Sequence, residues 1–116
     1  MFWGKLDSIN LYGCDHEMIK DKEKIKEYLV QLCKLIKMKR SGEPIIKEFG
    51  EGTLEGYSAI QFIETSSITI HFDDKIADRA FIDIFSCKDF DTKVTKKFSK
   101  EFFRAKRAKA KVLLRK

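Results

Sequence analysis

Three runs of alternating side chains, residues 57–63, 68–72 and 79–86, follow one another with only short polar connections between them. Period-two alternation of this kind predicts neighbouring β-strands, because successive side chains of a strand point to opposite faces. The third run is the strictest constraint. Ala80, Ile82 and Ile84 face one way while Phe81 and Phe85 face the other, so both faces of that strand are apolar and both need a cover. The rest of the chain offers two helical patterns, enough to cover one face of a sheet of this size. A second copy of the protein is the simplest cover for the other face, which predicts a homodimer.

Around that centre the remaining elements follow in order. Residues 5–12 read as a first strand with Leu6, Ile9 and Leu11 apolar in an imperfect alternation, stopped by Gly13. Asp15 or Asp21 suits the start of a helix whose Ile25, Leu29, Leu32 and Ile36 form one stripe, with Cys33 at a core spacing as inert packing. Ser41-Gly42-Glu43-Pro44 is expected to end it, since glycine suits a helix terminus and proline cannot continue the hydrogen bonding. A short strand at Ile45–Phe49 and a flexible Gly50-Glu51-Gly52 link precede the three central runs. A second helix is expected from Asp91 or Thr92 to about Ala105, with Val94, Phe98, Phe102 and Ala105 along its stripe, and a last strand at 110–114. The fold class is therefore α+β, a two-layer sandwich of one antiparallel sheet with two helices on one face. With 116 residues, the chain is a single domain.

Composition narrows the function classes. No apolar run is long enough to cross a bilayer and no long apolar leader opens the chain, so a cytoplasmic protein without a membrane partner is the expectation. Three cysteines, Cys14, Cys33 and Cys87, without CxxC spacing argue against a disulfide framework and against a metal site. The net charge of +6 is concentrated in the last third, from Lys93 to Lys116. Basic clusters bind phosphate backbones, which makes a small nucleic-acid-binding module one reading. No nucleic-acid motif accompanies the charge, so a solvated helix face and tail is preferred and no nucleic-acid partner is expected.

The chemistry concentrates in residues 64–74. Ser66 and Ser67 stand five and four residues before His71, and in an unbroken strand Ser66 and His71 point to opposite faces. For the two to meet, the backbone must turn at the serines, and the polar segment 64–67 is the expected turn. Taken singly, the serines read as turn formers, His71 as a hydrogen-bonded strand residue and Cys87 as packing.

Together these residues carry a resemblance. Ser66-Ser67-Ile68-Thr69-Ile70-His71, then Phe81-Ile82-Asp83-Ile84-Phe85-Ser86-Cys87, resembles the pyruvoyl-dependent S-adenosylmethionine decarboxylases of the short prokaryotic type. Leu11-Tyr12-Gly13-Cys14-Asp15, Gly56-Tyr57-Ser58 and Phe103-Arg104-Ala105-Lys106-Arg107 fall into line with the same family. The resemblance implies self-cleavage between Thr65 and Ser66, leaving a covalent pyruvoyl group derived from Ser66 and no metal. It also implies that Ser58 and His71 assist processing. Cys87 is implied as proton donor to a substrate whose amine condenses with the ketone.

The chain departs from the family at three places. Thr65 replaces the usual Glu before the reactive serine, and Ser67 replaces the His after it. His71-Phe72-Asp73-Asp74-Lys75 stands where the short enzymes carry His-Thr-Trp-Pro-Glu. For adenosine, the resemblance leaves Phe49 as one aromatic face and Asp74 as the acid for ribose. Several readings stay open: an S-adenosylmethionine decarboxylase supplying spermidine synthesis, an arginine or ornithine decarboxylase of the same family, and an unprocessed relative acting as a binding or regulatory partner.

Overall fold

The computed structural model describes residues 2–116. Its elements are β1 (Gly4–Tyr12), α1 (Lys22–Leu35), β2 (Ile45–Phe49), β3 (Gly56–Ile63), β4 (Ser66–Asp73), β5 (Arg79–Ser86), α2 (Thr92–Phe102) and β6 (Arg107–Arg115). The strands form one sheet in the order β2-β3-β4-β5-β1-β6, with every neighbouring pair antiparallel. β2 to β5 run as a meander, and β1 then slots between β5 and β6. None of the helices is long and apolar enough to cross a membrane among the described residues.

The expected two-layer architecture is present, with both helices packed over one sheet face. That face is built by Ile9 and Leu11, Ala59 and Ile63, Ile68, Ile70 and Phe72, and Ala80, Ile82 and Ile84, all buried. Ile25, Leu29 and Leu32 of α1 close over it. Tyr28 sits at the centre with its ring 4.8 Å from Phe103 and 5.6 Å from Phe98, an aromatic cluster joining the two helices. Cys33 is buried beside it, as its spacing predicts, and burial pushes its thiol up to about 11. The opposite face of the sheet stays open, with Ile45, Ile60, Phe62 and Leu113 exposed.

Both helices end earlier than expected, for the same reason. α1 stops at Leu35 rather than at the Ser41–Pro44 segment, because Lys37 takes a left-handed conformation (φ 57) and Met38 N–H bonds back to the Cys33 carbonyl at 2.8 Å. α2 stops at Phe102 with Arg104 left-handed (φ 53) and Ala105 N–H on the Lys100 carbonyl at 2.9 Å. These are Schellman ends with a basic residue in the place glycine usually takes. Each turns an apolar residue, Met38 or Ala105, back into the core. Asp21 caps α1, while Asp15 accepts instead from the N–H groups of Glu17 and Met18 at the entry to the 3-10 turn Met18–Lys20. The basic tail is not loose: β6 covers Arg107–Arg115 and pairs along all of β1.

The stripe of α2 is also rotated from expectation. Thr95 and Ser99 are its fully buried residues, whereas Val94 is exposed. Short hydroxyl side chains let the helix lie close to the sheet, and each finds a buried partner. Ser99 Oγ lies 2.6 Å from the Tyr28 hydroxyl, and Thr95 Oγ1 lies 2.7 Å from Asp7 Oδ2. Asp7 explains the imperfect alternation of β1, since a carboxylic acid occupies a core position between Lys5 and Ile9. Burial pushes the Asp7 carboxyl up, against the lowering effects of the Thr95 bond and of Lys5 and Lys96. Its Oδ1 is buried without a hydrogen-bond partner among the described residues. Folding therefore disfavours the ionised form, a cost absent below the ordinary carboxyl value of 3.8 and growing as pH rises to the folded value. Asp7→Asn, which cannot ionise, is expected to raise the thermal midpoint at pH 7 by roughly 3–6 °C. The gain should vanish near pH 4, a dependence that calorimetry across pH would check.

Candidate active site

The two serines are not where the chain turns. Ile63 pairs with Ser66, so the β3–β4 hairpin is closed by Glu64 and Thr65 alone, and β4 runs without a break from Ser66 to Asp73. The strand begins two residues earlier than the alternation predicts because Ser66 also pairs with Ser86, which extends the β5 ladder to the hairpin's end. His71 consequently lies five strand residues from Ser66, about 16 Å away at the usual rise. Ser66 and His71 are thus not brought together within one chain.

What the fold does gather at Ser66 is the far end of β5. The N–H of Cys87 donates to the Thr65 carbonyl oxygen at 3.1 Å, and this carbonyl belongs to the peptide joining Thr65 to Ser66. The Cys87 side chain is exposed at that end, just past the last residue of β5. Ser86, fully buried, donates through Oγ to Thr65 Oγ1 at 2.8 Å. It accepts from the Lys88 N–H at 3.0 Å. Thr65 Oγ1 donates to Met38 Sδ at 3.4 Å. Sequence reading passed over Ser86 and Met38, for nothing in their spacing marks them. They meet Thr65 only because the Schellman turn after α1 carries residues 38–41 alongside the hairpin, where Glu64 N–H bonds the Lys39 carbonyl.

The other predicted pair is built on the open face. Ser58 and His71 are direct partners across β3 and β4, and Ser58 Oγ lies 2.8 Å from His71 Nδ1. A cavity of about 580 Å³ opens beside them, walled by Ile45, Phe49, Leu54, Ile60 and Phe72, with Lys47, Ser58, Thr69 and His71 as its polar groups. The wall depends on Gly50, whose positive φ of 88 and lack of a side chain let the backbone pass against the Leu54 carbonyl. Phe49 lines this cavity, but Asp74 does not: its carboxylate holds Lys75 at 3.1 Å. Lys47 was overlooked, although its place between Ile45 and Phe49 puts it on their face, opposite Ser58.

Asp73 has become a structural staple. Its carboxylate accepts from the N–H groups of Lys75, Ile76 and Ala77 and meets Arg79 Nε at 2.7 Å. Partial burial pushes its carboxyl up, but these four partners outweigh that and hold it below the ordinary value. No group of three or more potential metal ligands occurs among the described residues.

A single antiparallel sheet backed by two helices, with a hairpin carbonyl held at one end and a serine–histidine pair beside an apolar cavity, defines a small two-layer α+β class. The family model described as S-adenosylmethionine decarboxylase matches residues 7–116, and the chain belongs to that family. Its fold is similar to the crystal structure of the adenosylmethionine decarboxylase from Aquifex aeolicus VF5. The TM-score is 0.81 at 22% identity, covering 98% of this chain and 91% of that one. No match to a curated protein sequence was found.

Proposed function

We propose that the chain is a self-processing S-adenosylmethionine decarboxylase that cuts itself between Thr65 and Ser66. The observation that carries this reading is the Cys87 N–H on the Thr65 carbonyl oxygen at 3.1 Å. Attack of Ser66 Oγ on the Thr65 carbonyl carbon forms a C–O bond, breaks the C–N bond and moves the hydroxyl proton to the Ser66 nitrogen. Negative charge gathers meanwhile on the oxygen that Cys87 already faces, and donors so placed stabilise it by a factor of about 10²–10³. Loss of the Ser66 α-proton with departure of the Thr65 carboxylate leaves dehydroalanine at a new N-terminus. Water and release of ammonia convert that residue to a pyruvoyl group.

The residues present fit such a group, since Ser66 heads β4 and Cys87 flanks it. A pyruvoyl ketone would supply the electron sink that decarboxylation needs. Around it Cys87 would hold a proton at Sγ for the substrate carbon, and Phe49 would offer a ring to adenine at the cavity rim.

A base is still required, and His71 of the same chain is out of reach. A homodimer packed through the open faces supplies His71 and Ser58 from the second copy while covering Ile45, Ile60 and Phe62. Spermidine synthesis would be the use of the product, in the cytoplasm.

A smaller basic substrate, arginine or ornithine, is favoured by one observation: Asp73 stands where the family's tryptophan would stack, and it is spent on its loop. Against that, the cavity wall offers Lys47 and no carboxylate to a cationic side chain. The intact mass of the purified protein tests the proposal. Two fragments, residues 1–65 and 66–116, are expected, the second carrying a ketone at its N-terminus. One full-length species would leave a non-catalytic binding relative. Carbon dioxide release from the three substrates then decides among them.

A further inference from the structure

We infer that Ser86 is the positioning residue for self-cleavage, acting through the hydroxyl of Thr65; this rests on the self-processing reading above. Two consecutive residues of the β5 end hold one residue of the hairpin at two points. Cys87 takes the Thr65 carbonyl through its N–H, and Ser86 takes the Thr65 side chain through its hydroxyl. With only the carbonyl held, the peptide plane can still swing about that bond, whereas a second anchor on the same residue removes the freedom.

The direction of the hydroxyl chain follows from its donors. Ser86 Oγ accepts from the Lys88 N–H, and of the two acceptors within its reach Thr65 Oγ1 at 2.8 Å is nearer than Met38 Sδ at 3.7 Å, so its single proton goes to Thr65. The single Thr65 proton then points to Met38 Sδ, which is buried and fixed by the backbone bond from Met38 to Cys33. Every donor in the series has an acceptor, and the series ends on Met38, in the Schellman turn just past the end of α1. Ser86 has no exposure at all, and its backbone is the register partner of Ser66. The hydroxyl is therefore anchored to the same ladder as the attacking residue. Threonine at position 65 and serine at position 86 thus act as a pair.

Alignment errors near 1 Å cost on the order of 10²-fold in a positioned reaction. Ser86→Ala is expected to slow the appearance of fragments by about 10- to 100-fold, with the thermal midpoint measured alongside. Ser86→Thr, which keeps the hydroxyl, should restore the rate. Thr65→Val should be slow and Thr65→Ser fast, and this pair serves if Ser86→Ala does not fold. Hydroxylamine, which cleaves esters, provides a second readout: less hydroxylamine-released fragment from Ser86→Ala and Thr65→Val means the initial acyl shift is the step affected. Fragments from wild type together with an unslowed Ser86→Ala overturn this inference alone. So does a Ser86→Thr variant as slow as Ser86→Ala, since the hydroxyl would then be irrelevant. A wild-type chain that never cleaves overturns both this inference and the reading it rests on.

Discussion

Ser66→Ala will remain one uncut polypeptide, while Ser67→Ala will yield the same two fragments as the wild type. The difference is total because uncatalysed hydrolysis of a peptide bond is negligible beside an intramolecular attack. Ser66 is the residue whose nitrogen lies in the gripped peptide, so its hydroxyl reaches the Thr65 carbonyl through a five-membered ring. The hydroxyl of Ser67 would have to cross a further residue to reach the same carbonyl. Ser66 is only partly buried and at a strand end, so removing one oxygen leaves the fold intact. Intact-mass spectrometry reads the result directly, and fragments persisting in Ser66→Ala would place the reactive hydroxyl elsewhere.

Co-expressing Ser66→Ala with His71→Ala will restore cleavage that neither variant shows alone. With roughly 16 Å between the two residues along β4, the proposed processing site combines Ser66 of one chain with His71 of another. In a mixed dimer, the chain carrying His71→Ala keeps its own Ser66 and faces an intact His71, so that chain is cut. Random pairing makes half the dimers mixed, and about a quarter of all chains should appear as fragments. Ser58→Ala in place of His71→Ala should complement in the same way, because Ser58 Oγ holds His71 Nδ1 at 2.8 Å. No cleavage in the mixture, with both variants folded and dimeric, would mean that the base comes from the same chain and that the open face has another use.

Much of the scaffold was legible in the residues. The apolar pattern of β5 called for a helical cover on one face, which α1 and α2 provide, and of the candidate helix starts Asp21 and Asp91 are the ones that cap. The helix ends were misread because Lys37 and Arg104 carry the left-handed turn that glycine usually signals. Val94 was taken as core since hydropathy ranks it above Thr95, yet Thr95 is buried through its bond to Asp7, a pairing 88 residues apart that no local pattern reports.

By itself the sequence determined the strand order of types, the apolar face that the helices cover and the presence of Ser58, Ser66, His71 and Cys87 in a recognisable series, since these depend on side-chain chemistry and local period. Tertiary structure decided which of them meet. An antiparallel ladder sets neighbours by register across strands, so it put Cys87 N–H on Thr65 and Ser58 on His71 and kept Ser66 and His71 five residues apart along a rigid strand. Distance along an extended backbone grows with every residue, and only a bend or a second copy can close it.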